Sequence, residues 1–144
     1  MIVYVDTSAL VPLLFDEPTS TACGEVWDGA DRVTCTRLAY IESVAAVAMA
    51  ERTGRISATE ARDGLAVLEQ LWPVVDVIEL DQELMSEAAR LAILHGLRGY
   101  DATHCAAAVE ASDIELVAAS GDKRLLGAWR AEGVAVLDIV ALSF

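Results

Sequence analysis

Met1-Ile2-Val3-Tyr4-Val5-Asp6-Thr7-Ser8-Ala9-Leu10 opens the chain and sets the reading of the rest. An apolar, β-branched run too short for a helix ends at an acid, and a polar turn then enters a short apolar helix. That is a strand-to-helix junction. The same grammar recurs at Ile114–Ala119, which runs into Ser120-Gly121-Asp122. Further strands are expected at Arg32–Cys35, Val74–Leu80 and Val134–Leu137, giving five with Ile2–Val5 and Ile114–Ala119. Helices are expected at about 8–14, 18–28, 37–52, 58–70, 82–95, 101–112 and 122–131. Short strands alternating with longer helices specify an α/β fold, a central parallel sheet flanked by about seven helices.

The chain has 144 residues and no repeat, low-complexity tract or Pro/Gly-rich linker, so 1–144 is read as a single domain with one compact body. Hydrophobic residues make up 55%, which excludes disorder, yet no apolar stretch reaches the roughly 20 residues that span a bilayer. The start of the chain lacks a basic leader, so a cytoplasmic protein with no membrane association is expected. Cys23, Cys35 and Cys105 stand in apolar surroundings without a C-x-x-C pair and read as buried free thiols. A net charge of −13 excludes nucleic-acid binding through a broad basic surface. The ten basic residues are nine Arg and one Lys, which favours local, bidentate contacts to phosphate or carboxylate.

Local signals mark several helix starts: Ser57-Ala58-Thr59-Glu60 is a capping box, Asp81 caps the next helix and Pro18 suits a first helical position. Asp81 shows that an acid at a helix start needs no chemical role. Four other acids ask for more. Glu42 has Leu38, Ala39, Ala45 and Ala46 as helical neighbours and so projects from an apolar face, where a lone carboxylate is costly unless it meets a cation or protonates. Asp6 and Asp122 both lie where a strand hands over to a helix, so each is a capping residue, a ligand, or both. Asp101, in Gly99-Tyr100-Asp101-Ala102-Thr103-His104-Cys105-Ala106, lies on a largely apolar stripe with His104 at i+3. His104 is read as a neighbouring packed group and not as a ligand. Ser8 and Ser120 stand ready to hold the acids in place.

In an open parallel sheet, ligands bind beyond the carboxyl ends of the strands, where Asp6 and Asp122 emerge. Four acids brought together would repel by about 4 kcal/mol per close pair at an effective dielectric near 20, and a cation relieves this. All-oxygen coordination favours Mg2+ or Mn2+ over Zn2+. Such an ion, held by carboxylates and waters, orients a phosphodiester and activates water, which points to phosphodiester hydrolysis.

The blocks Val5-Asp6-Thr7-Ser8-Ala9-Leu10, Tyr40-Ile41-Glu42-Ser43, Tyr100-Asp101-Ala102-Thr103-His104 and Ser120-Gly121-Asp122-Lys123-Arg124-Leu125 together resemble PIN-domain ribonucleases, specifically the VapC-type toxins of bacterial toxin–antitoxin pairs. The resemblance runs nearly end to end. It implies a PIN-like three-layer fold with strand order 3-2-1-4-5 and an acid pocket holding Mg2+ or Mn2+. It further implies single-stranded RNA or tRNA as substrate and water as nucleophile, leaving 5′-phosphate and 3′-hydroxyl ends. By the same resemblance Asp6, Glu42 and Asp101 are the core catalytic and metal-binding acids, Asp122 completes the set, and Ser8 and Ser120 are accessory hydroxyls. A homodimer and a cognate VapB-like antitoxin covering the active site are implied partners.

Two other readings stay open: a receiver-like phospho-accepting domain, against which helix-borne Glu42 argues, and a catalytically silent PIN-like binding module. Arg37, Arg98, Lys123 and Arg124 flank the motifs as a local phosphate track or as solvated charges. The apolar segment from Leu137 to Phe144 is expected to pack on the body or at a dimer contact.

Overall fold

The computed structural model describes residues 1–142. Five parallel strands, β1 (Ile2–Val5), β2 (Arg32–Thr36), β3 (Asp76–Ile78), β4 (Leu116–Ser120) and β5 (Ala135–Asp138), form one sheet in the order β3-β2-β1-β4-β5. Seven helices connect them: α1 (Thr7–Leu10), α2 (Ser20–Gly29), α3 (Leu38–Arg52), α4 (Ala58–Leu71), α5 (Gln82–His95), α6 (Gly99–Ala111) and α7 (Lys123–Ala131). The expected architecture and strand order are both present. A receiver domain has the order 2-1-3-4-5, so this sheet overturns the receiver-like reading.

The period-2 alternation of β1 sorts the core into two layers. Val3 and Val5 point into the cluster that includes Ala9, Leu10, Ala39, Val47 and Leu68, from α1, α3 and α4. Tyr4, between them, points into the opposite cluster with Leu91, Ala106, Leu126 and Trp129, from α5, α6 and α7. Both faces of β1 are therefore covered, which is why its sequence is a continuous apolar run.

Several boundaries differ from the sequence reading, each for a local reason. The strand expected over Val74–Leu80 shrinks to Asp76–Ile78, because Trp72–Val74 forms a 3-10 turn with Pro73 in its first positions, and Val74 is exposed. The strand expected from Ile114 starts at Leu116, since Asp113 Oδ1 accepts from Glu115 N at 3.1 Å and holds a turn there. Pro18 lies in the turn before α2, which begins at Ser20, and so is not its first residue. The helix expected over 8–14 divides into α1 and a 3-10 turn, Val11–Leu13, carrying Pro12. The capping box at Ser57 and Glu60 and the Asp81 cap on Leu84 N form as read.

Of the apolar tail, Ile139 is buried while Val140 and Leu142 are exposed; Ser143 and Phe144 lie outside the described residues. Among the described residues, no helix is long and apolar enough to cross a membrane. All three cysteines are free and buried, and burial pushes Cys23 up to about 11 and Cys105 up to about 12.

Gly64 is the tightest point of the first layer. A Cβ there would stand 2.7 Å from the carbonyl oxygen of Leu14, so α4 crosses the turn after α1 at a distance only glycine permits. Gly64→Ala is expected to destabilise the fold by about 1–3 kcal/mol, despite the better helix propensity of Ala. Urea unfolding measures it; a stabilised variant would mean that Leu14 yields freely.

Candidate active site

The chain runs out from β1 through β2 to β3 and then crosses back to place β4 on the other side of β1. The crevice at this reversal lies beyond the carboxyl ends of β1 and β4, the two strands that Asp6 and Ser120 terminate. Asp6 N bonds to Ala119 O at 3.4 Å, tying the two exits together.

Asp6 is 5% exposed, and both its oxygens are engaged. Oδ1 accepts from Ser8 Oγ at 2.7 Å and from Ala9 N at 3.1 Å, so Asp6 does cap α1; Oδ2 accepts from Ser120 Oγ at 2.7 Å. Burial raises its pKa above the usual carboxylate value, against the opposing pull of nearby His104 and of these three donors. Ser8 and Ser120 thus both hydrogen-bond to the Asp6 carboxylate. Ser8 Oγ also accepts from Gly121 N at 2.8 Å, and Ser120 Oγ from Asp122 N at 2.9 Å.

Asp122 caps α7 through Oδ1, which accepts from Arg124 N at 2.8 Å and Leu125 N at 3.2 Å. The capping reading therefore holds for Asp6 and Asp122; among the described residues Asp6 has both oxygens paired and Asp122 has Oδ2 unpaired. Asp101 is different. Helix α6 begins two residues earlier than expected, at Gly99, with Arg98 as its N-cap, so Asp101 sits in the first turn without a capping bond. Its carboxylate lies 3.5 Å from Arg98 Nε.

Glu42 projects from α3 toward α6, where Oε1 meets Thr7 Oγ1 at 2.7 Å and His104 Nε2 at 2.7 Å. Burial pushes its pKa up, but the His104 hydrogen bond and charge and the Thr7 hydroxyl outweigh burial and hold it below the ordinary range. The cation anticipated for this carboxylate is thus matched within the protein by an imidazole. His104 is buried and does not present a nitrogen to solvent, in keeping with its reading as a packed neighbour. Its far nitrogen, Nδ1, lies 2.8 Å from Tyr4 Oη. The sequence reading missed Thr7 and Tyr4. The available signal was Tyr4 itself, a hydroxyl in the middle of an apolar strand that needs a buried partner.

Asp101 joins the others across two adjoining hollows. One, of about 290 Å3, is lined by Arg98, Asp101, Asp122 and Arg124; the next, of about 450 Å3, by Glu42, Arg98, Gly99, Tyr100 and Asp101. Asp6 reaches this group through Ser120, which bonds Asp6 on one side and the Asp122 amide on the other. Among the described residues, no three His, Cys, Asp or Glu side chains stand close enough together to grip an ion as they are placed. Each acid rests on protein donors. The donor chemistry nevertheless fits a hard divalent cation, since the acids offer only oxygen and Asp6 is a buried carboxylate with no Arg or Lys hydrogen-bonded to it. Arg37 is tied to Glu79 and is not part of the cleft, whereas Arg98 and Arg124 line it.

A PIN domain model matches residues 3–128. Two Mycobacterium tuberculosis proteins, ribonuclease VapC45 of strain CDC 1551 / Oshkosh and ribonuclease VapC49 of strain ATCC 25618 / H37Rv, are each 40% identical over 124 residues, which is 86% of either chain. Among solved structures, PAE2754 from Pyrobaculum aerophilum superposes with a TM-score of 0.70 at 23% identity, covering 99% of this chain and 98% of that one. DNA-bound VapBC from Salmonella typhimurium gives 0.66 at 17% identity, covering 96% and 98%. The structural likenesses carry the fold, the family model and the two relatives carry the kinship, and on these grounds the chain belongs to the PIN-domain family, among its VapC members.

Proposed function

We propose that this protein is a Mg2+- or Mn2+-dependent endoribonuclease, the toxin of a type II toxin–antitoxin pair, that hydrolyses single-stranded RNA or tRNA. The observation that carries this reading is the 40% identity to two VapC ribonucleases over 86% of the chain, joined to an acid-lined cleft at the sheet's reversal point. In this reading Asp6, Glu42, Asp101 and Asp122 are the catalytic and metal-holding acids. A divalent cation bound there supplies charge stabilisation and lowers the pKa of the attacking water. The chain's own residues do the rest. Ser8 and Ser120 orient Asp6, Thr7 and His104 orient Glu42, and Arg98 and Arg124 offer guanidinium groups to the phosphates on either side of the scissile bond.

With a net charge of −13, contact with a polyanion would be local, through Arg98, Arg124 and the bound ion. The fold shared with a DNA-bound VapBC structure supports a VapB-like antitoxin over the cleft, and we expect a cytoplasmic homodimer.

Incubating the protein with varied single-stranded RNAs and Mg2+ or Mn2+ tests the reading. Cleavage to 5′-phosphate and 3′-hydroxyl ends is expected, with EDTA lowering the rate at least about 100-fold. Cleavage that resists EDTA defeats the metal-dependent mechanism. Tight Mn2+ binding without hydrolysis of any RNA would instead favour a catalytically silent binding module.

A further inference from the structure

We infer that His104 is a positioning residue that holds Glu42 in its working orientation, anchored in turn by the buried hydroxyl of Tyr4; this rests on the function proposed above. The chain of contacts is continuous. Tyr4 Oη lies 2.8 Å from His104 Nδ1, and His104 Nε2 lies 2.7 Å from Glu42 Oε1. A hydrogen on Nε2 donates to the carboxylate, and the phenol hydroxyl, which can donate or accept, closes the contact at Nδ1.

Both anchors, Tyr4 and His104, are buried. Tyr4 is fully buried in the central strand, and its ring meets the Trp129 ring in a T-shaped contact at a centroid distance of 5.7 Å. His104 is 2% exposed and meets the Tyr4 ring edge-on at 6.1 Å. Both its nitrogens are committed inside the protein, so it acts on Glu42 and not on an ion or a substrate. Glu42 belongs to a helix of one layer and His104 to a helix of the other, so their bond closes the sheet's end across the two layers.

The consequence for Glu42 is directional. Thr7 Oγ1 and His104 Nε2 both converge on Oε1, while Oε2 has no partner among the described residues, and Glu42 lines the 450 Å3 hollow beside Asp101. Two hydrogen bonds on one oxygen narrow the positions open to the other. A glutamate has three side-chain torsions, and displacement of a catalytic group by about 1 Å can cost about 100-fold in rate.

Three variants test this: His104→Leu, which keeps bulk and removes the donor; His104→Gln, whose amide can still donate to Glu42; and Tyr4→Phe, which removes only the anchor. Thermal melts establish folding, calorimetry gives Mn2+ affinity, and steady-state assays on a cleaved RNA give kcat and KM. His104→Leu is expected to weaken Mn2+ binding about 10-fold and lower kcat about 10–100-fold with KM little changed. His104→Gln should recover most of both losses, and Tyr4→Phe should lose about 3-fold in kcat. A folded His104→Leu with wild-type affinity and kcat overturns the inference, as does a folded His104→Gln no better than Leu. If His104→Leu does not fold, an unchanged Tyr4→Phe overturns it. Should the wild type bind Mn2+ yet cleave no RNA, the nuclease reading fails while the Mn2+ affinities still decide the role of His104; a wild type that binds no Mn2+ overturns both.

Discussion

Asp6→Asn is expected to lower RNA hydrolysis by about 100- to 1000-fold while raising the thermal unfolding midpoint of the metal-free protein. The two effects share one cause. Burial raises the Asp6 pKa above its unfolded value of 3.8, so the folded state prefers the neutral carboxyl. Its contribution to stability is fully present below pH 3.8 and is lost as pH rises through the higher folded value. Near neutral pH the buried charge is therefore a cost, and a neutral amide removes it. Asn keeps an acceptor for Ser8 Oγ and Ala9 N, so the cap on α1 survives; only the Ser120 hydroxyl must turn to face an amide donor. Adding Asp101→Asn should abolish residual cleavage with little further change in stability, because Asp101 makes no capping bond. Cleavage within about 3-fold of wild type in the double variant would reduce Asp6 to a helix cap. A lowered unfolding midpoint would mean that the lost Ser120 bond outweighs the relief of charge.

Trp129→Ala is expected to destabilise the protein by about 3–5 kcal/mol, a large share of the 5–15 kcal/mol typical of a domain. Trp129 is fully buried on α7, packs edge-on against Tyr4 at 5.7 Å and belongs to the second core cluster. Its indole nitrogen has no hydrogen-bond partner among the described residues, which makes Trp129→Phe informative. Phe keeps an aromatic edge for Tyr4 and removes a buried, unpaired donor, so it should cost far less than Ala. Urea unfolding at constant m-value separates the two. A cost for Ala below about 1.5 kcal/mol would show that α6 and α7 collapse into the cavity. Because Tyr4 anchors His104, the surviving folded fraction of Trp129→Ala should also show lowered activity.

What the sequence by itself determined is local. Four-residue β1, the capping box at Ser57 and Glu60, the Asp81 cap and the expected span of α5 follow from hydrogen bonds within a few residues and from hydrophobic period, all of which are written in the chain. The reading slipped where a neighbouring turn competed, as at Pro73 before β3 and at Asp113 before β4, because turn formation depends on which backbone groups the sheet claims first. The acids themselves were legible: Asp6 and Asp122 by their junctions, Glu42 by its apolar neighbours, Asp101 by its stripe. Their sequence-nearest partners, Ser8 and Ser120, were legible too.

Only the tertiary structure decided what surrounds them. Tyr4 and His104 are 100 residues apart, Glu42 and His104 are 62 apart, and Asp6 and Ser120 are 114 apart. Glu42 read alone asks for some cation, but its imidazole partner comes from α6 and its hydroxyl partner from α1, helices of different layers that meet only once the sheet order is set. It was also the fold that freed Asp101 from capping, by starting α6 at Gly99. Periodicity and capping act over one or two turns of chain and can be read in order; partners for a buried charge are chosen by packing across the sheet, which no window of sequence contains.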